Sequence, residues 1–234
     1  MKRFYKAAEA APAEGGWAVT LDGRSVRTPA KRALVVPAEA LARAMAEEWA
    51  AQGDEVKPAT MPLTGLANAA IDRIGAERSA FVDSLAAYAD GDALAYRADH
   101  PDDLVQRQAA TWNPILDWAE RRFGIEFELV QGVMHRPQPA ETVARLRAAL
   151  DGLDDFALTA MQPLVTISGS LTVALALIEG TIDEDAAWAA GQLDELYQAE
   201  KWGEDELAAK SRASRREAFA AAYRLYLLSR PISA

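Results

Sequence analysis

The chain has 234 residues, with 35 Asp and Glu against 25 Lys and Arg, a formal net charge of −10 and a sequence pI near 4.8. Half of it is hydrophobic, enough to bury a core, while the acid excess repels phosphate backbones and anionic lipid, so neither a nucleic-acid partner nor membrane insertion is expected. There is no cysteine and only two histidines, His100 and His135, which excludes disulfides, thiolate nucleophiles, thiol-ligated zinc and iron–sulfur clusters.

The N-terminus, MKRFYKAAEAAPAEGG, lacks an apolar core of signal-peptide length. It gives the expectation of a bacterial cytoplasmic protein, or of a mitochondrial matrix protein if a presequence has been removed. The first forty residues read as strands. In WAVTLDGRSVRTP, alternating Trp17, Val19 and Leu21 lead into Asp22-Gly23, a two-residue hairpin signal, and Val26 continues the pattern. ALVVP (Ala33 to Pro37) reads as a third strand.

Helices follow. From Pro37 to Gln52, Leu41, Met45 and Trp49 recur every four residues, with Gly53 placed as a C-cap. Leu63, Leu66, Ala67, Ala70, Ile71 and Ile74 form a second stripe that Gly75 should close. A third helix, Glu77 towards Ala89, should bury Phe81, Leu85 and Tyr88. The segment Asp90 to Asp103 interrupts the helices and reads as a domain seam, dividing the chain into 1–97 and 98–234.

Beyond the seam, Val105, Trp112, Leu116, Ala119 and Phe123 line one face of a long helix that Pro114 should kink or restart. IEFELV (Ile125 to Val130) alternates and reads as a strand able to join the N-terminal sheet. Glu141 to Leu150 is amphipathic on Val143, Leu146 and Leu150. The run from Leu164 to Ile178 is apolar on every side and should be one buried central helix, closed by Gly180. Its fifteen residues, interrupted by Ser168, Gly169 and Ser170, fall short of the roughly 20 that cross a bilayer. Thr181 to Glu184 has capping-box spacing and should open a helix reaching Trp202-Gly203. A last helix, Glu204 to Leu228, should pack through Leu207, Phe219, Tyr223 and Tyr226, and the tail SRPISA from Ser229 is expected to be disordered. The fold class is α+β, mostly α: a small N-terminal α/β domain with antiparallel strands, then a helical bundle.

Chemical motifs are sparse. There is no GxxxxGK[ST], GxGxxG or GxSxG, and the 35 acids define no pair by sequence alone. Asp90, Asp92, Asp99, His100, Asp102 and Asp103 gather metal-ligand types, giving an alternative reading as a carboxylate- or metal-dependent hydrolase with a site near Asp90–Asp103. Asp and Pro at a helix start explain the same residues without a metal. No cofactor and no metal are expected, and the main reading is not an enzyme. LDELYQAEKWGEDE, Leu193 to Glu206, packs six carboxylates into fourteen residues. On a helix, Ala189, Leu193, Leu196 and Tyr197 should face the core. Glu195, Ala199 and Trp202 share a second stripe, which composition alone reads first as a solvated charged face with one aromatic tucked underneath; a Trp beside carboxylates at a helix end is also what a protein-docking surface uses.

Together, LDGRSVRTPA, EWAAQG, MPLTGLANAAID, YRADHPDDLVQRQAATWNPILDW, SGSLTVALAL and LDELYQAEKWGED resemble, in this order, the Atp12 assembly chaperones of the F1 sector of ATP synthase. The resemblance implies a chaperone that binds the free α subunit of F1 as a transient partner, prevents its aggregation and promotes assembly. It implies an essential acidic position on Asp194 or Glu195, with Glu195 preferred, and a sensitive tryptophan at Trp49. Trp49 lies on the apolar stripe and is assigned a structural role. Glu195, Asp194, Trp202, Glu204 and Asp205 are the candidate partner-binding residues, on a protein expected to be monomeric.

Overall fold

The computed structural model describes residues 2–132 and 135–230, with the side chain of residue 76 left aside. It is α+β and mostly helical, with 64% of the described residues in helices. Two compact units divide the chain: one comprises Met1–Arg78, Asp154–Ala160 and Ala221–Ala234, the other Ser79–Leu153 and Met161–Ala220.

The first unit opens with a four-stranded antiparallel sheet: β1 (Ala8–Ala13), β2 (Gly16–Leu21), β3 (Arg24–Ser25) and β4 (Val35–Val36). β2 is central. β1 lies on one side in the register Ala8↔Leu21 to Ala13↔Gly16, while β3 and β4 pair with its two ends on the other side. The expected Asp22-Gly23 turn is present, with φ of 48° and 79°. Positive φ at both central residues matches the turn to the right-handed twist of the strands. β1 went unread because AEAAPA lacks β-branched and aromatic residues; its pairing with β2, not its propensity, makes it a strand. A Cβ on Gly16, at φ 153°, would come 2.3 Å from the Val36 carbonyl oxygen.

Helix α1 (Glu39–Ala50) packs on β1 and β2 through Leu41, Ala42 and Met45. Its C-cap is Ala51 in a right-handed conformation rather than the expected glycine. The following loop is instead fastened by buried Gln52, whose amide donates to Glu48 O and Thr60 Oγ1 and accepts from the Lys57 amide. Glu48 caps the next helix, α2 (Pro62–Ala69), accepting from the amides of Leu63 at 2.7 Å and Thr64 at 2.8 Å. Gly75 does not stop this rod as expected. A π-turn, Ala70–Ile74, carries it into α3 (Gly75–Asp90), and the irregularity falls at Glu77, φ −133° and ψ 31°. Within the π-turn, Asp72 accepts from Thr28 Oγ1 at 2.7 Å and the Ala30 amide at 3.0 Å, locking down the loop after β3.

In the second unit, α4 (Asp102–Phe123) runs unbroken through Pro114, contrary to the expected kink. Pro114 and Ala110, the residue whose carbonyl it leaves without a donor, are both solvent-exposed, so water can satisfy that oxygen. The stretch 125–129 is not a strand. Its backbone groups bond to side chains instead: Phe127 N to Glu120, Glu128 N and O to the Gln138 amide, and Glu126 O to Thr142. Only β6 (Val130–Gln131) pairs, in parallel with β5 (Tyr96–Arg97), and not with the N-terminal sheet. Helix α5 (Ala140–Asp151) buries Leu146 and Leu150 as read.

The expected single central helix is two, α6 (Asp155–Ser168) and α7 (Leu171–Ile178). Gly169 takes φ 70° and Ser170 caps α7, its hydroxyl accepting from Val173 N at 3.0 Å. All eight residues of α7 are buried. Its end is a Schellman motif, with Gly180 N bonded to Leu177 O and Thr181 N to Ala176 O. Asp92, fully buried, accepts from Thr172 N and Oγ1 at the start of α7. Burial pushes its carboxyl up, against the hydrogen bonds from Ser170 and Thr172.

The chain after Gly180 also splits, into α8 (Glu184–Gly191) and α9 (Leu193–Trp202). The α8 cap is Asp183, accepting from Ala186 N at 2.8 Å, two residues later than the capping-box reading. Helix α10 (Glu206–Ser229) buries Phe219 and Tyr226. Ser229, expected at the start of a disordered tail, is buried and donates to Tyr226 O at 3.0 Å; residues 231–234 lie outside the described residues.

Candidate partner-docking surface

The break between α8 and α9 sets the site. A Cβ on Gly191 would lie 2.7 Å from Ser168 Cα, so only glycine lets the chain pass this close to α6. Gln192 then ties the corner down, its amide donating to Ile167 O at 2.9 Å. Rephasing at this corner overturns part of the expected core stripe. Leu193 and Tyr197 are buried, but Ala189 is exposed and so is Leu196, at 38%.

Once α9 is phased this way, the six carboxylates of Leu193–Glu206 find partners within the second unit. Asp194 accepts from Gln108 Nε2 at 2.8 Å, and Glu200 grips Arg107 through two bonds, at 2.5 and 3.0 Å. Glu195 pairs with Arg215 of α10, Oε1 to Nη2 at 2.6 Å, and Glu204 pairs with Arg212. Asp205 caps α10, accepting from Ala208 N at 2.9 Å, and Glu206 pairs with Lys210 one turn on. A second clasp lies beside Glu200: Asp103 of α4 accepts from Tyr197 Oη at 2.7 Å and meets Lys201 Nζ at 2.8 Å. Lys201 and Tyr197 together hold the Asp103 carboxyl down to about 2, and Arg107 lowers that of Glu200.

With the acids engaged, the hairpin of α9, Gly203–Asp205 and the first turns of α10 presents apolar side chains. Trp202 is 78% exposed and Leu207 is 79% exposed, the latter against the expectation that it packs inward. Solvent contact of this extent on an indole and a neighbouring leucine is not how a core is built. The five candidate partner-binding residues therefore gather on one hairpin, with Trp202 projecting and Glu195, Asp194, Glu204 and Asp205 bonded to neighbouring groups. The arginines that complete the arrangement were not identified from sequence, although the basic run KSRASRR, Lys210 to Arg216, directly after the acidic one was a readable sign of two helices paired by charge.

Trp49 lies elsewhere, on α1 in the first unit. It is partly buried against Tyr5, Leu21, Val56 and Met61, with its ring edge-on to Tyr5 at 5.7 Å. Of the acids considered for a hydrolase site, Asp102 is exposed in the first turn of α4 and the other four are separately engaged. Asp90 accepts from Gln138 N and faces His135, Asp92 is buried under α7, Asp99 meets His100, and Asp103 is in its clasp. Among the described residues no three His, Cys, Asp or Glu form a group that could hold a metal ion, and no helix is long and apolar enough to cross a membrane.

Comparison with known proteins gives these features a context. The family described as ATP12 chaperone protein matches residues 2–120. The chain is 26% identical over 214 residues to the mitochondrial protein atp12 of Schizosaccharomyces pombe, covering 86% of this chain and 74% of that one. The crystal structure of Atp12 from Paracoccus denitrificans superposes with a TM-score of 0.92 at 43% identity, covering 98% of both chains. The Atu1473 protein of Agrobacterium tumefaciens gives a TM-score of 0.93 at 42% identity, over 98% of this chain and 86% of that one. The chain belongs to the ATP12 chaperone family.

Proposed function

We propose that this protein is an assembly chaperone of ATP synthase, which binds the free α subunit of F1-ATPase, keeps it from aggregating and hands it on for assembly. The observation that carries the reading is the exposure of Trp202 and Leu207 at the tip of the α9–α10 hairpin, in a chain of a chaperone family. An unassembled subunit exposes apolar surface that its neighbours will later cover, and such surface aggregates. A projecting indole supplies a large contact area for covering it, while Glu195, Asp194, Glu204 and Asp205 fix the hairpin and give its rim a polar border. The net charge of −10 keeps the chaperone from associating with itself and favours a monomer. The work is binding rather than bond-making, in the bacterial cytoplasm; the greater identity to a bacterial Atp12 than to a mitochondrial one supports that setting.

The test is an aggregation assay. Unfolding-prone F1 α subunit is diluted from denaturant with and without the protein, and light scattering is followed. Protection by the native chain, and its loss in Trp202→Ala with the fold intact, is the expected result. Full protection by both Trp202→Ala and Glu195→Lys would remove this face from the mechanism.

A further inference from the structure

The two units differ in charge. The first carries 13 Lys and Arg against 12 Asp and Glu, the second 12 against 23. Within the first unit an aromatic row runs from the N-terminal segment into α1. Phe4 meets Tyr5 edge-on at 5.4 Å, and Tyr5 meets Trp49 edge-on at 5.7 Å. With Leu21 and Val26 these rings wall a groove of about 580 Å³, within the roughly 300–1,000 Å³ typical of binding clefts. Phe4 is 67% exposed even though it heads the row. The Trp49 indole Nε1–H is buried at the groove wall and has no acceptor among the described residues.

The polar lining is cationic in effect. Arg24 and Arg27 stand along the groove; among the described residues the Arg27 guanidinium makes one hydrogen bond, to Lys31 O at 3.0 Å, and that of Arg24 makes none. The carboxylate in the lining, Asp22, is already engaged by the amides of Lys6 and Ala7 at 2.9–3.2 Å. An apolar trough bordered by guanidinium groups that no carboxylate pairs with among the described residues selects a ligand that offers apolar side chains and carboxylates together. Nucleic acid offers phosphates but no apolar side chain to lie in the trough.

We propose that this groove docks an extended acidic segment of a polypeptide, with a leucine or aromatic side chain laid against Phe4 and carboxylates on Arg24 and Arg27. The groove belongs to the first unit and Trp202 to the second, and the inference does not depend on the role proposed for Trp202.

The test uses the full chain and fluorescence anisotropy of a short fluorescein-labelled peptide alternating Glu and Leu, beside a twin alternating Lys and Leu. Saturable binding of the acidic peptide is expected, at least about tenfold tighter than its basic twin. Arg24→Glu and Phe4→Ser should each weaken it by about tenfold or more, with unchanged thermal melts because both side chains are exposed. Trp202→Ala should leave it unchanged, which separates this site from the chaperone face. Equal affinity for the two peptides, full affinity in Arg24→Glu, or no saturable binding would each overturn the proposal.

Discussion

Arg215 places its Nη2 2.6 Å from Oε1 of Glu195, tying α10 to the first turn of α9 across the hairpin that displays Trp202. The pair is partly exposed, so its contribution to global stability is small, about 0.2–1 kcal/mol. Its position matters more than its strength, because it joins the two helices on either side of the turn next to Trp202.

Glu195→Lys sets two cations against each other at this point. Protection of aggregating α subunit should fall sharply while the melting temperature changes by no more than a few degrees. The charge-swapped double variant, Glu195→Arg with Arg215→Glu, should restore protection, since the pair is rebuilt with reversed polarity. A double variant as inactive as the single one would mean that the partner touches the carboxylate itself.

The two tryptophans should behave oppositely. Trp202→Ala removes a side chain already in water, so stability should stay within about 0.5 kcal/mol of the parent. Client affinity should fall by about 2 kcal/mol or more, some thirtyfold, as for an interface anchor. Trp49→Ala opens a void beside Tyr5 and Met61 and should cost about 3 kcal/mol of stability. Denaturant titration and a binding isotherm on the same samples separate the two effects.

Gly191→Ala should destabilise the protein by about 1–3 kcal/mol, because the new methyl group would lie 2.7 Å from a backbone atom of Ser168. Relief can come only by moving α9, so client protection should fall too. A substitution with no effect on either urea midpoint or protection would show that this close approach is not needed.

The Asp103 clasp carries a pH signature. Its carboxyl is held at about 2 in the folded protein against an ordinary 3.8, so the ionised form contributes stability that is complete above 3.8 and fades as pH falls towards 2. Glu200, lowered by Arg107, changes in the same direction. Between pH 4 and 2 the melting temperature of Asp103→Asn should therefore fall less steeply than that of the parent. Parallel curves would mean that the clasp does not form in solution.

Much of the fold was written in local pattern. The Asp22-Gly23 turn, the stripes of α1, α4 and α5 and the closure at Gly180 each depend on a few neighbouring residues, whose spacing alone decides which face is apolar. Elements without such a local cause were missed. β1 is a strand because β2 lies beside it, and 125–129 is not one because Gln138 and Thr142 take its hydrogen bonds. The division of Leu164–Ile178 had visible punctuation at Gly169-Ser170 that its hydrophobicity masked.

At the candidate site the sequence by itself determined the ingredients: an acidic run, an indole within it and a basic run following. Tertiary structure alone decided their use. Backbone approach at Gly191 rephased α9, leaving Leu196 outward while Tyr197 stayed buried as its spacing implied, and brought Arg107, Gln108, Arg212 and Arg215 within reach of the acids. Whether a carboxylate is free or paired depends on atoms a few ångströms away in space and tens of residues away along the chain, and no local spacing rule carries that distance.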